Sequence, residues 1–274
     1  MKKLILDVWL TIHGIAAASG LLFKDDAITV ISDNSKLLYT YHLKQKKLDT
    51  MTLLSGDVLE NIPKKEKADF EAITEIDAKL YVFGSGSGKN RNSMVCYDPK
   101  LGTKDSVDLG PIYQQLKTDF SIADQDFNIE GALPYGEELW LFNRGNGPGK
   151  QNGIFILDKY TFAPKAFFHV ALPTLQGVST GFTDATQMDG KIYFIAAAED
   201  SNSSYHDGEV KGTVIGRLDP KSRAVEYTET LALGHKFEGI TPYRKTRQAV
   251  EFLLCEDPDN DTASSTIYKV RIKR

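Results

Sequence analysis

The sequence predicts an all-β chain folded as a five-bladed β-propeller, a single domain over residues 1–274. Three observations lead there. One type of segment recurs five times. Its spacing stays near 50 residues. The pieces left over at the two ends together make one further period. A period of this length built from short strands indicates four-stranded blades around a central channel.

The copies are ASGLLFKDDAITVIS (18–32), FEAITEIDAKLYVFG (70–84), IEGALPYGEELWLFN (129–143), FTDATQMDGKIYFIA (182–196) and FEGITPYRKTRQAVEFLL (237–254). Each opens on a polar residue, runs through an apolar stretch, turns on Asp, Gly, Glu or Lys, and closes on β-branched or aromatic residues, as a strand pair does. Ser19, Glu71, Glu130 and Thr183 each precede the second apolar run by nine residues, at Ile28, Leu80, Leu139 and Ile192. Glu238 opens the fifth copy, whose turn is three residues longer. The five positions are spaced by 52, 59, 53 and 55 residues. After Glu238 there remain 36 residues, and before Ser19 there are 18, which together make 54. The last blade is therefore expected to be closed by the N-terminal strand, KLILDVWLTI.

Third strands are expected at 37–43, 94–98, 153–158, 213–219 and 266–272, with outer strands near 48–54, 104–109, 165–172 and 224–231. No helix-rich linker divides the chain. Lys2, Lys3, an apolar stretch and Ala16–Ala18 imitate a signal peptide. Asp7 and His13 interrupt that stretch, and cleavage after Ala18 would delete the closing strand. The expectation is an uncleaved, cytoplasmic chain, and a secreted or periplasmic one if the leader is removed.

Composition narrows the partners. Hydrophobic residues make up 41% of the chain, enough for a sizeable core, and the net charge of −4 gives no basic footprint for nucleic acid. No apolar run reaches the ~18 residues of a membrane span. Cys96 and Cys255 share no metal-like spacing. A monomer that binds a small molecule is expected.

In a propeller the first strand of each blade lines the channel. Ser19, Glu71, Glu130, Thr183 and Glu238 should then form one ring of five side chains. Three carboxylates in a narrow channel repel one another unless protons or a cation neutralise them. An oxygen-only ring with several carboxylates selects a hard cation, calcium ahead of magnesium. Asp184 competes with Thr183 as the fourth-blade oxygen donor, through a one-residue bulge. The plain alternative is a ring of strand caps bonded to backbone amides around a water-filled channel.

These pieces carry a resemblance. SGLLF at Ser19, ISD at Asp33, FEAITEIDAKLYVFGSGSGK at Glu71, IEGA at Glu130, STGFTDAT at Thr183 and FEGI at Glu238 resemble the calcium-dependent apyrases, five-bladed propeller nucleotidases that hydrolyse nucleoside di- and triphosphates. The resemblance implies an axial calcium held by Ser19, Glu71, Glu130, Thr183 and Glu238. It implies a functional arginine at Arg144 in FNRGNG, where the family has a pair. AAAEDSNSSYHDGEV matches the family's acidic fourth-blade segment loosely. The compact chain also suggests an uncharacterised bacterial propeller family.

Loops on the face where first strands begin are polar and glycine-rich: 84–92, 144–152, 199–211 and 255–265. Lys89, Arg91, Arg144, Lys150 and Lys211 in them are candidate phosphate ligands. Asp33, Glu199, Asp200 and His206 are candidate bases or supporting groups; Arg144 joins the first three as a candidate for the chemistry. Taken singly, such loops are ordinarily solvated turns. GSGSGK is no Walker A motif, EDPDND no EF-hand loop, and the five histidines accompany no nucleophile elbow. Asn202 and Asn260 begin glycosylation sequons. The expected function is a calcium-dependent hydrolase of a phosphorylated small molecule such as a nucleotide. The alternatives are a non-catalytic binding propeller with structural calcium, and a lactonase- or esterase-like propeller.

Overall fold

A computed structural model describes residues 4–201, 208–257 and 263–273. Strand β1 (Leu4–His13) comes first and pairs last. Blade 1 contains β2 (Ala18–Lys24), β3 (Ala27–Ser32), β4 (Leu37–His42) and β5 (Lys47–Thr52). Blade 2 contains β6 (Phe70–Ile76), β7 (Lys79–Gly84), β8 (Ser93–Asp98) and β9 (Thr103–Asp108). Helix α1 (Gly110–Phe120) and a 3-10 turn (Asp124–Asp126) lead to blade 3. That blade contains β10 (Ile129–Tyr135), β11 (Glu138–Asn143), β12 (Gly153–Asp158) and β13 (Pro164–His169). Blade 4 contains a two-residue strand β14 (Thr174–Leu175), then β15 (Val178–Met188), β16 (Lys191–Asp200), β17 (Glu209–Leu218) and β18 (Val225–Leu233). Blade 5 contains β19 (Phe237–Lys245), β20 (Ala249–Glu256) and β21 (Ser264–Lys273). Its fourth strand is β1, antiparallel to β21 from Leu4↔Ile272 to His13↔Ser264. The ring is thus closed by the strand the spacing designates.

The turns follow from their residues. Asp25–Asp26, Asp77–Ala78 and Asp189–Gly190 each place two successive residues at positive φ. A two-residue hairpin loop with that geometry matches the twist of the strands it joins. Between the blades, alternating apolar residues interdigitate in five clusters, one at each interface. Ile31 and Phe70 anchor blades 1 and 2. Phe83 and Phe155 anchor 2 and 3. Phe142 and Phe194 anchor 3 and 4, Ile195 and Phe252 anchor 4 and 5, and Leu253 and Tyr39 anchor 5 and 1. Five interfaces for five blades leave no open seam.

Helix α1 was not expected from the sequence. Tyr113 and Leu116 are buried in the cluster between blades 2 and 3, with Phe120 against it. Their spacing puts them on one helical face. The Tyr113 hydroxyl donates to the Gly84 carbonyl at 2.8 Å, and so fixes the helix to the end of β7. No helix among the described residues is long and apolar enough to cross a membrane.

Candidate axial site

Every inner strand carries an irregularity in its pairing. Pairing skips one residue between Ala18 and Gly20, Phe70 and Ala72, Ile129 and Gly131, Phe182 and Asp184, and Phe237 and Gly239. The skipped residues are Ser19, Glu71, Glu130, Thr183 and Glu238. A bulge leaves its extra residue unpaired and re-aims the side chain. All five blades use it at the same place. In blade 4 the bulge carries Thr183, while Asp184 turns to the next blade, accepting from the amides of Ile240 at 2.8 Å and Ala185 at 2.7 Å. The glycine after the glutamate in blade 5 reflects close approach of neighbouring inner strands. A Cβ on Gly239 would lie 2.7 Å from Leu21 Cδ2 and 3.0 Å from Gly20 Cα.

The two hydroxyls tie blades together. Ser19 Oγ donates to the Phe70 carbonyl at 2.5 Å, and Thr183 Oγ1 to the Phe237 carbonyl at 2.7 Å. Each proton is thereby committed to the residue before the next blade's glutamate, and the oxygen lone pairs stay available.

Above this ring lies a second tier. The amides of Asp33, Ser85, Arg144 and Asp257 donate to the carbonyls of Ala17 (3.4 Å), Asp69 (2.9 Å), Asn128 (2.9 Å) and Lys236 (3.2 Å). Blade 4 places Gly181 opposite Ala197 instead. Arg144 packs into the space so freed, since a Cβ on Gly181 would lie 2.7 Å from Arg144 Cγ. The tier is a network of ion pairs. Lys67 bonds Asp33 and reaches Asp69 at 2.8 Å. Arg91 also holds Asp69 at 2.8 Å. Arg144, 6% exposed, spans Glu130 at 2.9 Å and Glu199 at 2.8 Å. Lys236 lies 3.2 Å from Glu238 and 3.5 Å from Asp257.

The charges can be compared. The ring supplies Glu71, Glu130 and Glu238; the tier supplies Asp33, Asp69, Glu199 and Asp257. Against these seven carboxylates stand four cations, Lys67, Arg91, Arg144 and Lys236. Among the described residues the carboxylates here outnumber the cations by three, and Arg144 and Lys236 are shared between the tier and the ring. Burial, then the carboxylates of Asp69, Glu238, Asp33 and Glu130, push the Glu71 carboxyl well above the usual range. Burial does the same to Glu238 despite Lys236. Glu130 and Asp33 are also raised by burial, which outweighs Arg144 and Lys67 respectively. Glu199 goes the other way: against the cost of burial, Arg144 and Lys236 hold it below its ordinary value.

Among the described residues Glu71 has no hydrogen bond or ion pair, and the buried Asp33 Oδ1 has no partner. Among the described residues one set of three carboxylates, Asp33, Asp69 and Glu71, has ligand oxygens all within 4.8 Å of one another, and the three ring glutamates Glu71, Glu130 and Glu238 do not form such a set. Glu130 is turned to Asn128 Nδ2 at 2.6 Å as well as to Arg144. An all-oxygen donor set with excess negative charge and an unpartnered carboxylate suits a hard cation.

Several sequence expectations need correction. Arg144 and Arg91 are not open phosphate ligands, because carboxylates already occupy their guanidinium groups. Lys211 pairs with Glu209 at 2.6 Å. Asp33 and Glu199 are engaged by Lys67 and Arg144, the arrangement of supporting groups rather than of bases, both of which the sequence left open. Asp200 is exposed at the end of β16, and Lys89 is exposed on the loop after β7. Lys150 donates to the Ser201 carbonyl at 3.3 Å, at a cavity of about 170 Å³ shared with Arg144, Asn146 and Glu199. His206, Asn202 and Asn260 lie outside the described residues. Lys67, Asp69, Asn128, Lys236 and Asp257 were missed. A signal existed for three: Asp69, Asn128 and Lys236 each stand two residues before a ring glutamate.

A family model described as a family of unknown function, DUF6929, matches residues 14–272. The chain belongs to the DUF6929 family. No curated protein matches this DUF6929 chain in sequence. Its fold is similar to solved structures. Glutaminyl cyclase of Myxococcus xanthus aligns at 11% identity and TM-score 0.58, over 98% of this chain and 96% of that one. A luciferin-regenerating enzyme aligns at 10% identity and TM-score 0.53, over 99% and 97%. An exo-1,5-α-L-arabinanase from a bovine ruminal metagenomic library aligns at 12% identity and TM-score 0.53, over 93% of each. Likeness at such identity concerns the fold alone.

Proposed function

We propose that this DUF6929 chain is a calcium-dependent hydrolase of a phosphorylated small molecule, with the ion held on the axis by Glu71, Glu130 and Glu238 and completed by Ser19 and Thr183. One observation carries the reading: five bulges deliver five oxygen-bearing side chains, three of them carboxylates, to equivalent positions in the five blades. Bound there, calcium would polarise a phosphoryl oxygen and orient water. The protein's own groups prepare the site. Arg144 and Asn128 fix the Glu130 carboxylate, and Glu199 fixes Arg144. Lys67 aligns Asp33 and Asp69 at the rim beside Glu71.

A second reading has its own observation. Asp33, Arg144 and Glu199 are tied into ion pairs, so three of the four groups expected to do chemistry are committed. That favours a binding propeller in which calcium pins the blades. Phosphate release from a panel of nucleotides and sugar phosphates, with calcium and then with chelator, separates the two. Calcium-dependent turnover lost in Glu130→Gln is the expected result. A melting temperature that falls on chelation while every substrate stays intact would replace the hydrolase with the binding propeller.

A further inference from the structure

A second cavity, about 200 Å³, opens between the 63–67 turn and the loop after β7. Its charged lining is Lys64, Lys65, Lys89 and Arg91, and Ser87, Gly88 and Asn90 complete it. No carboxylate among the described residues lines it. By contrast the cavity beside Arg144 includes Glu199, which opposes an anion.

We propose that this basic cavity is an anion site that holds a phosphate group of a phosphorylated small-molecule ligand. The assignment deepens the reading above and rests on it for the choice of phosphate among oxyanions. The two walls are pinned together. Asn90 Nδ2 donates to the Lys65 carbonyl at 3.0 Å, and Arg91 NH2 donates to the Lys64 carbonyl at 3.2 Å. Arg91 N donates to the Gly88 carbonyl at 3.0 Å, closing the loop into a tight turn. A clamp ordered before binding loses less entropy when it captures its ligand. The Lys65 and Lys89 ammonium groups have no carboxylate partner, and the amides of Gly88, Lys89 and Asn90 donate to no acceptor among the described residues. Ammonium groups together with free backbone N–H groups are what a phosphate oxygen requires.

The position links the cavity to the axis. Arg91 lines the cavity, and its NH1 bonds Asp69, which belongs to the compact carboxylate set with Asp33 and Glu71. A ligand anchored by its phosphate here therefore lies one side chain from the channel. The sequence motifs align with this. GSGSGKNRN supplies one wall and PKKEK the other; Lys64 and Lys65 line the cavity while Lys67 points inward to Asp33 and Asp69.

The test is calorimetric titration of calcium-stripped full-length protein with inorganic phosphate and with glycerol 3-phosphate. The wild type should bind both, the ester at least as tightly. The double variant Lys65→Ala/Lys89→Ala should weaken both by about tenfold or more, the loss expected for charge-assisted contacts. Both lysines are exposed, so an unchanged melting temperature will show that the variant is folded. Lys89→Glu should weaken binding further. Equal binding by wild type and double variant, or no binding of either probe at millimolar concentration, overturns the site. Binding of inorganic phosphate with rejection of the ester overturns a phosphorylated substrate as its occupant. Glu130→Gln should leave phosphate binding intact. If the substrate panel shows no hydrolysis while this binding holds, the hydrolase reading falls and the anion site stands.

Discussion

Replacing Glu71 by Gln tests the ring by removing one charge and little volume. Glu71 has no partner among the described residues, and its carboxyl is raised well above the ordinary range by burial and by Asp69, Glu238, Asp33 and Glu130. A carboxyl whose folded pKa exceeds its unfolded one binds more protons folded than unfolded, so metal-free stability falls as pH rises from about 4.3 through the folded value. Each unit of elevation costs about 1.4 kcal/mol once both states are ionised. Metal-free Glu71→Gln should therefore be more stable than metal-free wild type at pH 8, with a flatter pH profile. Calcium at about 100 times its Kd stabilises the folded state by ~2.7 kcal/mol. At about 2–4 °C per kcal/mol for a chain of this size class, the wild-type melting temperature should rise by roughly 5–10 °C. The variant should lose most of that rise. Differential scanning fluorimetry with chelator, calcium and magnesium at pH 5, 6.5 and 8 measures all of this. Equal calcium shifts in both proteins, or none in either, would refute the reasoning.

Arg144→Met should cost about 3–5 kcal/mol in urea denaturation, because Glu130 and Glu199 lose their shared buried cation. Adding Glu199→Gln to it should restore part of that; a loss under ~1 kcal/mol would show the pair to be solvated. Thr183→Val should cost about 1–2 kcal/mol by orphaning the Phe237 carbonyl, and should weaken calcium binding. Asp184→Asn should destabilise the chain while calcium affinity, read by calorimetry, stays unchanged. Deleting residues 1–13 should expose β21 and abolish the single cooperative melt seen by circular dichroism; a variant that still melts in one sharp transition would show β1 to be dispensable.

The ring and its closure were legible in the sequence because equivalent glutamates at a near-constant interval report blade geometry directly. Register favoured Thr183 but left Asp184 open, because a one-residue bulge would exchange them; the observed bulge falls on Thr183. The second tier was not. Its members lie in loops of different length, and Lys67, Arg91 and Lys236 reach the axis through side chains whose direction no spacing encodes. Those cations lower the net charge around the ring, and Arg144 is held between two buried carboxylates rather than open to a ligand. Helix α1 was passed over because one apolar face of an 11-residue segment is a weak signal beside repeated strand pairs.

The most direct measurement is anomalous diffraction from crystals of the full chain soaked in calcium. The account predicts one peak on the propeller axis, with carboxylate oxygens of Glu71, Glu130 and Glu238 at about 2.3–2.6 Å. An axis without a peak at saturating calcium, or a peak only among the surface loops, would contradict it.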